Sequence, residues 1–297
     1  MKYTVLGRTG MRVSAVSYGG IVSAGYYDDV LYPALGQDAS DRFVAWAVDR
    51  GVNYFDVAPS YGNAQAQLGE SLRPYRSRVR LACKTLCRDR DGARAELTDS
   101  LAALHTDHLD VYQLHAIASM ADVDAAFAPG GVMELMREIK ASGVAAHIGF
   151  TAHDEDAALR MIELYDFDTV LFPFNWLMHL SRGMGERLMA AARARNMGVL
   201  AMKAFIERRW DSDAERAASA FPKSWCKPID VQNADFGRAA MRYALALGAD
   251  TLIPPGNFDS FRFAVENIDA CIDAPYSDAD RQVLEAKLPD VRGREFF

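Results

Sequence analysis

Hydrophobic residues along this chain follow two alternating patterns. Short runs that are nearly continuous in apolar residues alternate with longer stretches in which apolar positions return every three or four residues. The first pattern predicts strands buried on both faces, the second helices with one buried side. Residues 3–13 alternate around Arg8-Thr9-Gly10, which predicts a hairpin, and residues 13–20 predict a first strand ending in Gly19-Gly20. A loop over 21–37 follows. Helices are then predicted over 38–50, 64–75, 92–105, 132–142, 156–165, 185–196, 234–247 and 259–270. They interleave with strands over 54–59, 79–86, 109–115, 144–151, 169–175, 198–205 and 251–253. Asp38-Ala39-Ser40-Asp41 reads as the cap of the first helix. Residues 206–233 read as irregular, and residues 277–288 as one more helix.

Eight strands, each followed by a helix, mean either a closed (β/α)8 barrel or an open doubly wound sheet. An open dinucleotide-binding sheet is expected to carry G-x-G-x-x-G after its first strand, and Gly19-Gly20 does not provide it. P-loop spacing is absent as well. The expected fold is therefore an α/β TIM barrel, one domain over residues 1–297, with an N-terminal β-hairpin and long loops after strands 1 and 7. Functional residues of a barrel gather where strands end and helices begin. Both long loops overhang that mouth.

Composition narrows the class. Half of the residues are hydrophobic and 25% are charged, the profile of a globular protein with a large core. The net charge is −7 with dispersed basic residues, which argues against a nucleic-acid surface. Arg73, Arg76, Arg78 and Arg80 read as a solvated face. Cys83, Cys87, Cys226 and Cys271 fit no zinc or iron–sulfur spacing and read as free thiols; no metal site is expected. Cys83 and Cys87 are read as lying four apart on one strand. The N-terminus shows no signal-peptide core and no apolar run reaches membrane-spanning length, so a cytoplasmic protein without a membrane partner is expected. Oligomeric state is not legible.

Four polar residues stand at three successive strand ends: Asp56 in Tyr54-Phe55-Asp56-Val57-Ala58-Pro59-Ser60-Tyr61-Gly62, with Tyr61 after it, Lys84 in Leu81-Ala82-Cys83-Lys84-Thr85, and His115 in Leu109-Asp110-Val111-Tyr112-Gln113-Leu114-His115. A lysine within an apolar strand needs a partner, because an unpaired buried ammonium is costly. Alternation of side chains lets Lys84, Asp56 and His115 all point into the barrel. An inward Lys84–Asp56 pair meets that need, and its residual field is expected to lower the Tyr61 phenol toward use as a proton carrier. His115 is expected to orient the substrate oxygen.

This constellation resembles the aldo-keto reductases. The likeness is carried by residues 53–62 and extends to Leu6-Gly7-Arg8-Thr9-Gly10-Met11-Arg12-Val13-Ser14, Leu68-Gly69-Glu70-Ser71-Leu72, Ser100-Leu101-Ala102-Ala103-Leu104 and Glu266-Asn267, essentially the whole chain. It implies a (β/α)8 barrel that binds NADP(H), or NAD(H), across the strand ends. It also implies hydride exchange with an aldehyde, ketone or alcohol, with Tyr61 as proton donor, Lys84 tuning it, Asp56 holding Lys84 and His115 placing the carbonyl.

The strand ends that grip the cofactor in many relatives are altered here. Gly149-Phe150-Thr151-Ala152-His153 offers Thr151 for a serine but Ala152 for an asparagine, strand 6 has Leu171 for a glutamine, and strand 7 has Met202-Lys203 for a tyrosine. Met202 is expected to pack on the nicotinamide ring and Lys203 to meet the pyrophosphate. Gly20 and Asp56 are further candidates at the nicotinamide side. Gly256-Asn257, Arg262 and Glu266-Asn267 look like the adenine clamp, with Arg262 as the candidate for a 2′-phosphate. Tyr26, Tyr27, Tyr32, Trp176, Met178, Trp210 and Trp225 are read as an aromatic and apolar wall around the mouth. An alternative of another class is a non-catalytic NADP(H)-binding regulatory or redox-sensing subunit on the same fold.

Overall fold

The computed structural model describes residues 1–27, 30–32 and 35–296, and of Tyr27 the backbone alone. The chain opens as a hairpin of β1 (Tyr3–Val5) and β2 (Arg12–Ser14), with Tyr3 opposite Ser14. A 3-10 turn over Gly7–Thr9 joins them and ends at Gly10, whose φ of 68° suits glycine. The strand expected over 13–20 is therefore divided. Val13 and Ser14 belong to the hairpin, and the first barrel strand is only β3 (Tyr18–Gly19). The break follows from Ser14: its N–H donates to Asn53 Oδ1 (2.7 Å) and its hydroxyl to the Val16 carbonyl (2.7 Å), so its polar groups leave the ladder.

A small hairpin, β4 (Tyr26–Tyr27) with β5 (Val30–Leu31), occupies the loop after β3. Then strands and helices alternate: α1 (Gln37–Asp49), β6 (Tyr54–Asp56), α2 (Ala64–Leu72), β7 (Arg80–Thr85), α3 (Arg90–Ala103) and β8 (Leu109–Ile117). Next come α4 (Met120–Phe127), α5 (Val132–Ser142), β9 (Ala145–Ala152), α6 (Glu155–Leu164), β10 (Thr169–Phe172), α7 (Trp176–Arg182), α8 (Glu186–Ala194) and β11 (Gly198–Met202). The chain ends with β12 (Ile206–Arg208), α9 (Asp213–Ala218), β13 (Lys227–Pro228), α10 (Ala234–Leu247), β14 (Thr251–Ile253), α11 (Phe258–Asp273) and α12 (Asp278–Val291).

The main sheet is parallel and eight-stranded in the order β3-β6-β7-β8-β9-β10-β11-β14. A parallel bridge between Val16 and Leu252 joins its two edges, with Ser17 N–H donating to Leu252 O (2.9 Å) and Leu252 N–H to Ala15 O (3.0 Å). The expected TIM barrel is thus present. Several elements differ from expectation. The first helix begins from Gly36 without a side-chain cap. Ser40, read as part of that cap, is buried and bonds Ser23 (2.9 Å) and Ser71 (2.8 Å), tying α1 to its neighbours. Cys87 lies beyond the end of β7 rather than on it. Helices α4 and α7 were not anticipated, although each has a capping side chain, Ser119 accepting from Asp122 N–H and Asn175 from Met178 N–H. The stretch expected to be irregular contains α9 and the antiparallel pair β12–β13 on either side of it.

Barrel interior and barrel floor are built differently. Leu6, Met11 and Val13 of the N-terminal hairpin meet Tyr54, Ala82, Val111, Leu171, Leu200 and Ile253, one inward residue from each of six barrel strands, in an apolar inner core. Below it three aspartates repeat one device. Asp110 accepts from Leu81 N–H (2.9 Å), Asp168 from Ile148 N–H (2.9 Å) and Asp250 from Val199 N–H (2.7 Å), each satisfying a backbone amide of a neighbouring strand. Arg76 and Arg80, Lys140, and Arg193 balance their charges. Two of the four arginines read as a solvated face are therefore structural. The lower face is closed, and chemistry is left to the opposite end.

Candidate active site

Two residues above the inner core, strand alternation turns the next inward side chains toward the mouth. Tyr54, Ala82 and Val111 in the core are followed on the same face by Asp56, Lys84 and Gln113. Lys84 is wholly buried and forms an ion pair with the buried Asp56; its ammonium also reaches the Val57 carbonyl at 3.3 Å. The other Asp56 oxygen accepts from Gln113 Nε2 at 3.1 Å. Gln113 escaped the sequence reading. Its signal was its parity with Lys84's strand neighbour His115, two residues on along the same inward face.

Tyr61 and His115 complete the group. Lys84 Nζ lies 5.5 Å from the Tyr61 ring centroid, and the Tyr61 and His115 rings meet edge-on at 5.6 Å and 83°. The Ser60 hydroxyl is 3.5 Å from His115 Nδ1. Local structure fixes both aromatic residues. Tyr61 N–H donates to Ala58 O (3.1 Å) and Tyr61 O accepts from Ala64 N–H (3.0 Å), a tight turn between β6 and α2. Gly62 has a φ of 56°, and a β-carbon there would run into the Tyr26 carbonyl. Asn63 Oδ1 accepts from Gly25 N–H (2.7 Å) and Tyr26 N–H (3.3 Å), holding the β4–β5 hairpin against the Tyr61 turn.

The backbone of His115 is clamped from two sides. Arg88 donates to His115 O (2.7 Å) and Ala116 O (3.2 Å). Ala116 has a φ of 56°, the register slips between Leu114 and Ile117, and Ala116 N–H donates to Thr151 Oγ1 (2.7 Å). Such an irregular backbone position is held only when its surroundings over-determine it.

Burial dominates the electrostatics. It pushes the Tyr61 phenol well above its ordinary value, and the charge of Asp56 and then Cys83 push the same way. This reverses the expectation of a lowered phenol, because burial penalises the phenolate more than any neighbouring charge does. The hydroxyl therefore holds its proton. Burial first, then Lys84, His153, Arg88 and Lys203, keep His115 well below the ordinary histidine value, so its imidazole is neutral. Burial and Lys203 push His153 down to about 3.

The candidates for cofactor contact fall into three places. Thr151, Met202 and Lys203 stand at the mouth. Thr151 is buried with its oxygen engaged by Ala116, while Met202 is half-buried against the inner core. Lys203 has a φ of 58°, lies 5.1 Å from the Phe296 ring centroid, and is pulled down to about 8 by burial. At the β3 and β14 ends, Gly20 packs on Val57 and Gly256 on Ile21, each leaving no room for a β-carbon. Asn257 caps α11 through Ser260 N–H (2.8 Å) and donates to Ser224 Oγ (3.0 Å) in the long loop. Farther out on α11, Arg262 is exposed and pairs with Asp259 (3.2 Å), Glu266 is exposed, and Asn267 donates to Phe263 O (2.8 Å). The buried Lys223 ammonium donates to the carbonyls of Val22 (2.9 Å) and Ala24 (3.2 Å). The half-buried Lys203 ammonium just beyond β11 is the cation among these candidates whose chemistry fits a phosphate-bearing cofactor.

The aromatic wall is partly realised. Tyr26 and Trp225 are exposed, Tyr32 donates to Pro222 O (3.3 Å), and Trp210 donates to Ser224 O (2.8 Å). Trp176 and Met178 do not join it: both are fully buried, and Trp176 donates to Ile206 O (2.8 Å) and packs on Phe236. The Tyr27 side chain lies outside the described residues.

Comparison with known proteins agrees with this geometry. The sequence model of the Aldo/keto reductase family matches residues 34–248. The chain is 28% identical to aldo-keto reductase YhdN of Bacillus subtilis over 163 residues, 50% of this chain and 46% of that one. It is 33% identical to a probable voltage-gated potassium channel subunit beta of rice over 129 residues, 39% of this chain and 37% of that one. The chain thus spans less than half the length of these two relatives. The holo form of aldo-keto reductase AKR11C1 from Bacillus halodurans superposes with a TM-score of 0.71 at 18% identity, over 97% of this chain and 96% of that one, a likeness of fold. The chain belongs to the Aldo/keto reductase family.

Proposed function

We propose that this protein exchanges hydride between NADP(H), or NAD(H), and a small aldehyde, ketone or the corresponding alcohol, with Tyr61 as the proton donor. When bound, the nicotinamide supplies or accepts the hydride at the carbonyl carbon. The observation that carries the reading is the joint placement of a protonated Tyr61 beside the Lys84–Asp56 pair and a neutral His115.

Each residue has one task. A neutral imidazole still donates one N–H, so His115 positions the substrate oxygen. Tyr61 gives its proton to that oxygen as negative charge grows on it. The phenolate left behind faces the Lys84 ammonium, which stabilises it at a distance where the Coulomb term is substantial in a dry site. Asp56 keeps the ammonium in place. A positioned general acid of this kind contributes about 10²–10⁴ in rate. Thr151 and Met202 are proposed at the nicotinamide, Gly20 beside them, and Lys203 at the pyrophosphate. Gly256, Asn257, Glu266 and Asn267 are proposed at the adenosine end, with Arg262 at a 2′-phosphate, which favours NADP(H). Free thiols at all four cysteines suit a cytoplasmic setting.

A second reading is a non-catalytic NADP(H)-binding regulatory subunit, favoured by the likeness to the rice channel subunit. A sensor has no use for a proton donor paired with a buried lysine, which supports the enzyme reading. Absorbance of NADPH followed with a panel of aldehydes and ketones separates the two. Turnover supports catalysis. Tight NADPH binding with no turnover of any carbonyl or alcohol supports the subunit.

A further inference from the structure

We propose that Gln113 is a positioning residue that holds Asp56, and through it Lys84, for proton transfer at Tyr61. The inference rests on the reading of Asp56, Tyr61, Lys84 and His115 as an acid–base site. Gln113 pairs in register with Lys84 across the β7–β8 ladder, and its side chain is fully buried. The two amide and ammonium donors divide the carboxylate between them. Lys84 takes Oδ1, and Gln113 Nε2 donates to Oδ2 at 3.1 Å.

The other half of the amide explains why this bond matters. Gln113 Oε1 is buried without a hydrogen-bond partner among the described residues. A buried amide with one end unsatisfied is costly, and leucine would fill the same barrel layer at no such cost. The amide is worth keeping only for what its N–H₂ does, and what it does is bond Asp56. The reverse orientation would set a carbonyl oxygen against a carboxylate, so the donor end is the one that faces Asp56.

With both oxygens engaged, the Asp56 carboxylate does not rotate, and the ammonium remains beside the Tyr61 ring. The groups around it are Lys84 from β7, Tyr54 on its own strand, Tyr61 in the following turn, and Gln113 and His115 from β8. Cys83 also acts on Tyr61, Asp110 on Tyr54, and His153, Arg88 and Lys203 on His115. Within this set Gln113 is the neutral donor to the carboxylate.

The test compares the wild type with Gln113→Leu and Gln113→Glu. Removing a donor from a carboxylate makes it easier to protonate. Gln113→Leu is expected to lower kcat about tenfold with KM little changed, and to move the acid limb of the kcat profile up by about one pH unit. Gln113→Met takes its place if the leucine variant does not fold. Gln113→Glu keeps a donor only while its own carboxyl is protonated. Its activity is expected to approach the wild type at acidic pH and to fall as the pH rises. Variants whose pH profiles match the wild type, or that lose activity equally at every pH, overturn the inference and leave a packing role. If the wild type itself turns over no carbonyl, the acid–base reading fails. A carboxyl-carbon NMR titration of Asp56 in the cofactor-free protein still decides the inference. The Asp56 pKa rises in Gln113→Leu if it holds, and is unchanged if it does not.

Discussion

Lys84 and Asp56 form an ion pair with 0% and 3% of their side chains exposed, at the point where two adjacent barrel strands end. Burying two charges gains little net stability, whereas removing one partner strands the other. Lys84→Met is therefore expected to destabilise the fold by about 3–5 kcal/mol, while Lys84→Met/Asp56→Leu together are far closer to the wild type. Denaturant midpoints of the single and double variants check this. A single variant as stable as the wild type contradicts the pairing.

Acidification is expected to destabilise the protein through its half-buried imidazoles His153 and His115. The unfolded chain binds a proton at His153 near pH 6.5, and the folded chain only at about 3. Below pH 6.5 the unfolded state binds more protons, so the stability is complete above 6.5 and is lost as the pH falls toward 3. His115 is depressed in the same direction and adds to the loss. Melting temperatures between pH 7 and 5 should fall less steeply for His153→Phe than for the wild type. Equal slopes would show that His153 is not held neutral by burial.

Gly62 links the Tyr61 turn to the loop after the first barrel strand. Its positive φ and the Tyr26 carbonyl in the space of a side chain both oppose substitution. Gly62→Ala is expected to cost about 1–3 kcal/mol in unfolding free energy and to lower kcat by displacing Tyr61. An unchanged denaturant midpoint speaks against the close approach.

Cofactor preference turns on Arg262. If it meets a 2′-phosphate, Arg262→Ala should raise KM for NADPH about 10- to 100-fold, the loss of a charged hydrogen bond, and leave KM for NADH unchanged. A parallel change for both cofactors rules out that contact. The existing pair with Asp259 makes this comparison informative, since removing Arg262 also frees an acid near the same place.

The parts of the fold that sequence made legible are those with strong periodicity. Helix α10 and strand β14 fall where expected because Gly248 and the Asn233 cap mark their ends. The barrel's first strand was misplaced because Ser14 reads as a strand residue, yet it spends its hydroxyl and its N–H on Val16 and Asn53. Among the candidate site residues Lys84 was visible because charge within an apolar strand demands a partner, and Asp56, Tyr61 and His115 followed from their places at neighbouring strand ends. Gln113 was not, because a neutral side chain raises no such demand, and its role depends on a neighbour across the sheet. The direction of the Tyr61 shift also needed three dimensions. Sequence shows that a Lys84–Asp56 pair is near, but only geometry shows how far burial outweighs it at the phenol.

The central claim is that Tyr61 delivers the proton. It is tested most directly by comparing Tyr61→Phe with the wild type in NADPH oxidation on an aldehyde substrate, with cofactor affinity measured in parallel by fluorescence. The expected result is a fall in kcat of about 10²–10⁴ with cofactor affinity nearly unchanged. Retained turnover, or loss of cofactor binding in place of turnover, would contradict it.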